Sequence, residues 1–304
     1  MRLAMINITG GGMSGGYQAY LKSVLPRLAA HPEIEALLCA TPAKLRVEDW
    51  FTDLPKTQFV SCASFRLMHH RPDRNLTEEI VKFKSDTIFI PLERYLFIPE
   101  APIVIMIQNM GPLIPAADNP YSERLRYILQ RYETKFAIKK ADGIIAPSKF
   151  VKDFLVERWN ISSERVQLIH YGSNTFKGDI ALQRPLSVPE EWKNKFVFTA
   201  GSIEPYRGLE DILDALYELR DNPELAGVVI AGFARGNMYS YHGRLKRWID
   251  QHGLTNKVCW TGMLSDKEMA WCYQHCRVFT MTSRVESFSM ISLEALAHGC
   301  VCIV

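Results

Sequence analysis

The chain lacks any long hydrophobic run: nothing in its 304 residues approaches the ~18 consecutive apolar residues that a membrane-spanning helix needs. No secretory leader is expected either, since Met1-Arg2-Leu3-Ala4-Met5-Ile6-Asn7-Ile8 is too short for one and reads as a first strand. Charge of one sign is scarce, with 36 Lys and Arg against 33 Asp and Glu and a net charge of +3. So small an excess, with no basic run interleaved with aromatics, argues against nucleic acid as a partner. Paired cysteines are absent as well. Seven is an odd number, and without a leader it implies reduced thiols and a cytoplasmic chain. Cys272 and Cys276 share a helix face, Cys300 and Cys302 a strand face; both spacings fit core packing, and no metal site is expected.

What is present is alternation. Composition is that of a globular protein, 47% hydrophobic and 23% charged, and the length allows two domains. The first part reads strand, glycine-rich loop, helix (about Tyr17 to Ala30), strand (Glu35–Ala40), then helix Glu79–Lys84 and strands Asp86–Pro91 and Pro102–Ile107. A Pro/Gly loop (Met110–Pro120), a long helix to Lys140, strand Asp142–Ala146, helix Ser148–Trp159 and strand Val166–Ile169 follow. A stretch with two prolines, mixed charge and no period then marks a linker at 177–194, separating domains at 1–176 and 195–304. The second alternation has strands Phe196–Ala200, Gly227–Ala231, Val258–Thr261, Val278–Met281 and Cys300–Val304. Between them lie helices Leu209–Leu219, Tyr241–His252 and Asp266–Gln274, the last opened by the capping box Ser265-Asp266-Lys267-Glu268. Strands separated by helices imply parallel sheets covered on both faces. The expected fold class is α/β, two Rossmann-like doubly wound domains facing across a ligand-binding cleft.

The stretch from Ser283 to Gly299 carries the chemistry. Glu286 and Glu294 stand with seven residues between them, and Met290, Ile291, Leu293 and Leu296 follow helical spacing. Ser283 or Ser287 is expected to cap this helix and Gly299 to end it, with Glu294 about two turns in. The backbone N–H groups of Phe288, Ser289 and Met290 would then face an anion such as a diphosphate at the positive helix end. A carboxylate on either side of an anion suits a nucleotide-sugar.

This segment resembles the E-x7-E signature of family 4 retaining glycosyltransferases of the GT-B fold, with Ser283, Glu286, Phe288, Glu294, Ala295, Ala297 and Gly299 in place. Ser287 and Ser289 stand where the family pattern has glycine. Upstream, Gly201-Ser202-Ile203-Glu204-Pro205-Tyr206-Arg207-Gly208 resembles the family's diphosphate loop G-R-L-x-x-x-K-G. Arg207 takes the lysine position and Ser202 the arginine. In the first domain Gln108-Asn109 stands where many members end a strand in histidine; either amide can hold a sugar hydroxyl or the acceptor, and neither is a general base. Ser148 to Lys152 and Ile169 to Asn174 match family segments near the interdomain crossing, with His170 read as structural. His69-His70-Arg71 is expected in an irregular, solvated loop, with an acceptor contact as the other reading.

The run Gly10-Gly11-Gly12-Met13-Ser14-Gly15-Gly16 is formally a dinucleotide fingerprint. The second strand ends Ala40-Thr41-Pro42, without the acidic residue that a dehydrogenase places on the ribose. The resemblance implies instead that Gly12, Gly15 and Gly16 let backbone approach the donor phosphates or the acceptor from across the cleft. It also implies a second domain left incomplete, since family members continue past the last strand.

The function implied is a metal-independent, retaining hexosyltransferase moving a sugar from a nucleoside diphosphate to a hydroxyl. Its setting would be surface polysaccharide or glycolipid synthesis. Glu286 would hold the donor sugar, Glu294 the ribose, and Arg207 with the helix amides the diphosphate. No cofactor is expected beyond the nucleotide-sugar substrate, with UDP and GDP both open. The acceptor would be a saccharide or a lipid-linked saccharide; the latter would imply peripheral contact with the inner face of the membrane, although no amphipathic basic helix stands out. A GT-B nucleotide-sugar epimerase and a catalytically inactive nucleotide-binding or scaffolding protein are the other readings.

Overall fold

A strand followed by a helix rejoins its sheet only by crossing over, so the alternation dictates parallel pairing. The computed structural model bears this out and describes residues 1–10, 12–114, 121–172 and 181–304. Gly11, residues 115–120 of the Pro/Gly loop, Ser173 and Asn174, and the domain boundary at 176 with linker residues 177–180 lie outside the described residues. The chain divides into two units, Met1–Leu113 with Leu125–Tyr171, and Ile114–Arg124 with Gly172–Val304.

The first unit holds β1 (Arg2–Ile6), β2 (Ala36–Pro42), β3 (Thr57–Cys62), β4 (Thr87–Ile90), β5 (Ile103–Met106), β6 (Gly143–Ala146) and β7 (Val166–Leu168). They form a parallel sheet in the order β3-β2-β1-β4-β5-β6-β7. Its helices are α1 (Gly15–Ala30), α2 (Arg74–Phe83), α3 (Tyr121–Lys140), whose first residues group with the second unit, and α4 (Lys149–Asp153), which widens into a π turn at Phe154–Arg158. Tyr17, Leu21 and Leu25 of α1 pack with Leu3, Met5 and Leu37 in a core on one face of the sheet.

The second unit holds β8 (Phe196–Ala200), β9 (Gly227–Ala231), β10 (Val258–Gly262), β11 (Val278–Thr280) and β12 (Cys302–Ile303), parallel in the order β10-β9-β8-β11-β12. Phe196, Phe198 and Ala200 alternate onto one face, where Trp271 and Cys272 of α7 (Asp266–His275) and Ala295 of α8 (Met290–Ala297) cover them. Val228 and Ile230 turn to the other face, against Leu209, Ile212 and Leu216 of α5 (Leu209–Glu218) and Tyr241, Leu245 and Ile249 of α6 (Tyr239–Gln251). Val188 and Trp192, within the expected linker, are buried in the first of these cores, so much of 181–194 is built into the second unit.

The strand order of each sheet therefore reverses once: between β1 and β4 in the first, between β8 and β11 in the second. Crossovers leaving such a point diverge to opposite faces and open a crevice at the carboxyl ends of the strands.

Candidate functional site

The loops after β8 and β11 share the crevice of the second unit. After β8 the backbone turns at Gly201 (φ 140°), runs through a tight turn at Pro205–Arg207, and enters α5 at Gly208 (φ 60°). Close approach to backbone requires glycine at 208, and Gly201 leaves room for the Arg207 side chain. A Cβ at Gly208 would stand 2.4 Å from the Thr282 carbonyl oxygen, and one at Gly201 would stand 3.1 Å from Cζ of Arg207. The Arg207 guanidinium thus lies flat against bare backbone.

Arg207 is aimed across the crevice at the loop after β11. Its Nη1 donates to Glu286 Oε1 at 2.5 Å and lies 3.3 Å from both Ser283 Oγ and Met281 Sδ. The Arg207 side chain is 15% exposed and that of Glu286 28%, so the pair is sheltered but reachable. Arg207 Nε is buried and has no hydrogen-bond partner among the described residues. Around the pair the loops are clasped. The Thr282 hydroxyl lies 2.9 Å from the Arg207 carbonyl and 2.7 Å from that of Gly208, and the Arg284 guanidinium grips the Asp211 carboxylate with two bonds, at 2.5 and 2.7 Å. Ser202 stands on the same crevice, its Oγ 3.4 Å from the hydroxyl of Tyr206; burial raises the latter's pKa, and the neighbouring Arg207 works against this.

The helix start differs from the expected one. Ser289, not Ser283 or Ser287, caps α8: its Oγ accepts from Ser292 N at 3.4 Å. Ser283 instead faces Arg207. Ser289 is left-handed (φ 66°), a conformation that a side chain resists and glycine does not, and its hydroxyl bond to the helix offsets part of that strain. Because the helix begins late, the donors at its end are those of Ser289, Met290 and Ile291, with Phe288 preceding it. Glu294 lies about one turn in rather than two.

Glu286 and Glu294 consequently occupy different surroundings. Glu286 faces the arginine. Glu294 Oε2 accepts from the Tyr273 hydroxyl of α7 at 3.3 Å, beside the ring of His298. Burial raises the Glu294 carboxyl above its ordinary value, with the Tyr273 hydrogen bond working the other way. Gly299 ends the helix in the left-handed conformation (φ 79°), as expected.

In the first unit the glycine loop follows β1. Ser14 caps α1 through Tyr17 N at 3.2 Å, so Gly15 and Gly16 belong to the helix's first turn rather than to the loop before it. A Cβ added at Gly12, Gly15 or Gly16 would meet no described atom within 4 Å: the protein's own packing does not demand glycine there. Gln108 follows β5, with Nε2 donating to the Pro91 carbonyl at 2.7 Å, and Asn109 Oδ1 accepts from Gly111 N at 2.9 Å. Sequence reasoning missed Glu93, which stands buried just past β4. Its Oε2 accepts from Gln108 N at 3.3 Å, and burial raises its pKa against the pull of Arg94 and backbone N–H groups. An acidic residue shortly after an apolar strand of a doubly wound sheet, past Pro91 and Leu92, was the available signal. His70 also departs from expectation. It is not in a solvated loop but bonded to Glu133 (Nε2 to Oε2, 3.0 Å) and stacked on Phe136 at 4.2 Å between centroids.

Comparison with known proteins agrees with this architecture. The family model described as Glycosyltransferase Family 4 matches residues 14–175, and that described as Glycosyl transferases group 1 matches residues 186–304. The chain is 23% identical over 186 residues to the mannosylfructose-phosphate synthase of Agrobacterium fabrum, covering 59% of this chain and 39% of that enzyme. With the serotype-specific mannosyltransferase WbdA of Escherichia coli it shares 26% identity over 175 residues, 55% of this chain and 21% of that one. The chain thus spans well under half the length of these relatives. Among solved structures, Anabaena HepE in complex with UDP superposes with a TM-score of 0.68 at 18% identity, covering 99% of this chain and 80% of that one. The sucrose-phosphate synthase of Thermosynechococcus elongatus gives 0.67 at 16%, with the same coverage. The fold they share with this chain is GT-B.

Proposed function

Since this chain belongs to glycosyltransferase family 4, we propose that it moves a hexose from a nucleoside diphosphate donor to a hydroxyl acceptor with retention of configuration. The observation that carries the reading is the Arg207 guanidinium, laid against the Gly201 backbone at the switch point, with a buried Nε unpartnered among the described residues. A diphosphate entering beside Ser289 and Met290 meets helix-end amides and a planar cation that is already oriented. Glu286 then sits on the far side of the guanidinium, where it accepts donor-sugar hydroxyls and keeps Arg207 aimed. Glu294, one turn deeper, accepts the ribose hydroxyls.

In the reaction the bond between the anomeric carbon and the diphosphate oxygen breaks, its electron pair going to the diphosphate. The acceptor oxygen attacks from the same face and gives its proton to a diphosphate oxygen. Positioning and stabilisation of the leaving charge do the work, and no step asks for a metal. HepE is named in complex with UDP and with UDP-glucose, and the Escherichia coli relative as a mannosyltransferase, which supports a nucleotide-sugar donor and a saccharide acceptor while leaving UDP and GDP both to be tried. The setting proposed with it is surface polysaccharide or glycolipid synthesis.

The test is nuclear magnetic resonance of the protein with UDP-glucose, GDP-mannose and saccharide acceptors. Release of the nucleoside diphosphate with an α-linked product from an α-linked donor is expected. A β-linked product refutes retention, and an altered free nucleotide-sugar without transfer makes the chain an epimerase.

A further inference from the structure

Helix α3 covers the first sheet with one arc and leaves the opposite arc open. On that open arc Leu125 (55% exposed), Ile128 (53%), Leu129 (44%) and Tyr132 (66%) form one stripe at helical spacing. Four exposed cations flank the stripe: Arg131, Lys135, Lys139 and Lys140. The helix's two carboxylates, Glu123 and Glu133, are both buried. Glu133 accepts from Met68 N at 2.6 Å, which ties the loop before α2 to the helix and sets Leu67 (38% exposed) and Met68 (72%) alongside it. The sequence did not show this helix as amphipathic because its buried arc is also apolar, with Tyr127, Ala137 and Ile138, so that opposite faces cancel.

We propose that this face of α3, with Leu67 and Met68, docks on an anionic lipid surface, the apolar side chains entering the headgroup boundary and the cations meeting lipid phosphates. Charge selects this occupant. A second copy meeting the stripe would set cations against cations, and interface cores between proteins are poor in lysine. No described helix is long and apolar enough to cross a membrane, so the contact is peripheral. The proposal stands apart from the donor site: vesicle binding needs no nucleotide, and nucleotide binding needs no vesicle.

The experiment is co-sedimentation of the full chain with vesicles of phosphatidylcholine alone or mixed with phosphatidylglycerol. Binding is expected on the mixed vesicles only and should weaken with salt. Each cation near an anionic surface is worth roughly fivefold in partitioning, so Arg131→Glu with Lys139→Glu should lower it at least about tenfold. Leu125→Ser with Leu129→Ser should lower it similarly. Circular dichroism and nucleotide affinity should be unchanged by either pair. As a measurement that leaves the charges intact, Leu129→Trp should show a blue-shifted emission on mixed vesicles. Failure to sediment with either vesicle, binding indifferent to both pairs, an unshifted tryptophan, or a dimer that the same substitutions dissolve would each overturn the proposal.

Discussion

The two sheets present the same reversal of strand order and furnish it differently. Past β8 and β11 stands a sheltered ion pair, Arg207 with Glu286, held by a glycine backbone, a threonine hydroxyl and the Arg284–Asp211 clasp. Past β1 and β4 stand three glycines with open space above them and Glu93, buried and bonded to backbone. Topology chooses where a crevice forms, and the side chains choose what it holds. The second crevice presents a cation paired with a carboxylate; the first presents bare backbone and amides.

The sharpest way to break that contrast is to remove the cation. Arg207→Ala should weaken binding of the preferred nucleoside diphosphate by about 100-fold or more, since charge-assisted hydrogen bonds are worth roughly 1.5–3 kcal/mol each and Glu286 is left facing the phosphates. Calorimetry reads this directly; a loss below about threefold would take Arg207 out of the site.

The glycines come next. Gly208→Ala puts a Cβ against the Thr282 carbonyl at positive φ and should cost on the order of 2–4 kcal/mol of stability in urea unfolding. Gly16→Ala, with nothing near, should leave stability within about 1 kcal/mol of wild type. Equal effects at the two positions would erase the distinction between glycine required by packing and glycine left open for a ligand.

Glu294→Gln should weaken nucleotide binding by roughly 10- to 100-fold. It also carries a pH signature. Burial raises the folded-state pKa above the ordinary 4.5, so the folded chain holds this proton more tightly than the unfolded one. Its contribution to stability is full below 4.5 and is lost as pH rises through the folded-state value. Relative to Glu294→Gln, wild-type stability should therefore fall with rising pH in that window. Nucleotide affinity should rise over the same window, because only the carboxylate accepts both ribose hydroxyls. Parallel trends would contradict the assigned role.

The smallest effect belongs to Ser289→Gly. Relief of the left-handed strain, about 1 kcal/mol, should outweigh the few tenths lost with the cap, giving a slight gain in stability. A clear loss would mean that the hydroxyl cap is worth more than the strain.

The fold was largely legible because its signals are local. Strands Phe196–Ala200 and Gly227–Ala231 fall where apolar, β-branched runs placed them, and the Ser265–Glu268 capping box is formed at the start of α7. β3 was not legible: Thr-Gln-Phe-Val-Ser-Cys is a half-exposed edge strand and never reads as an apolar run. The start of α2 was missed because its first turns are polar and only the Asp73 cap, bonded to Leu76 N at 3.0 Å, marks it. At the site, residue types were readable and pairings were not. Arg207 meets Glu286 across 79 residues because β8 and β11 are neighbours, and Tyr273 meets Glu294 because α7 and α8 cover one sheet face; neither pairing leaves a local trace.

The most direct test sets ligand against residue. UDP, GDP and their nucleosides are titrated into wild type and Arg207→Ala by calorimetry. If the second crevice grips a diphosphate through Arg207, wild type should prefer one nucleotide over its nucleoside by about 100-fold or more, and Arg207→Ala should lose most of that preference. Undiminished discrimination in the variant would contradict the account.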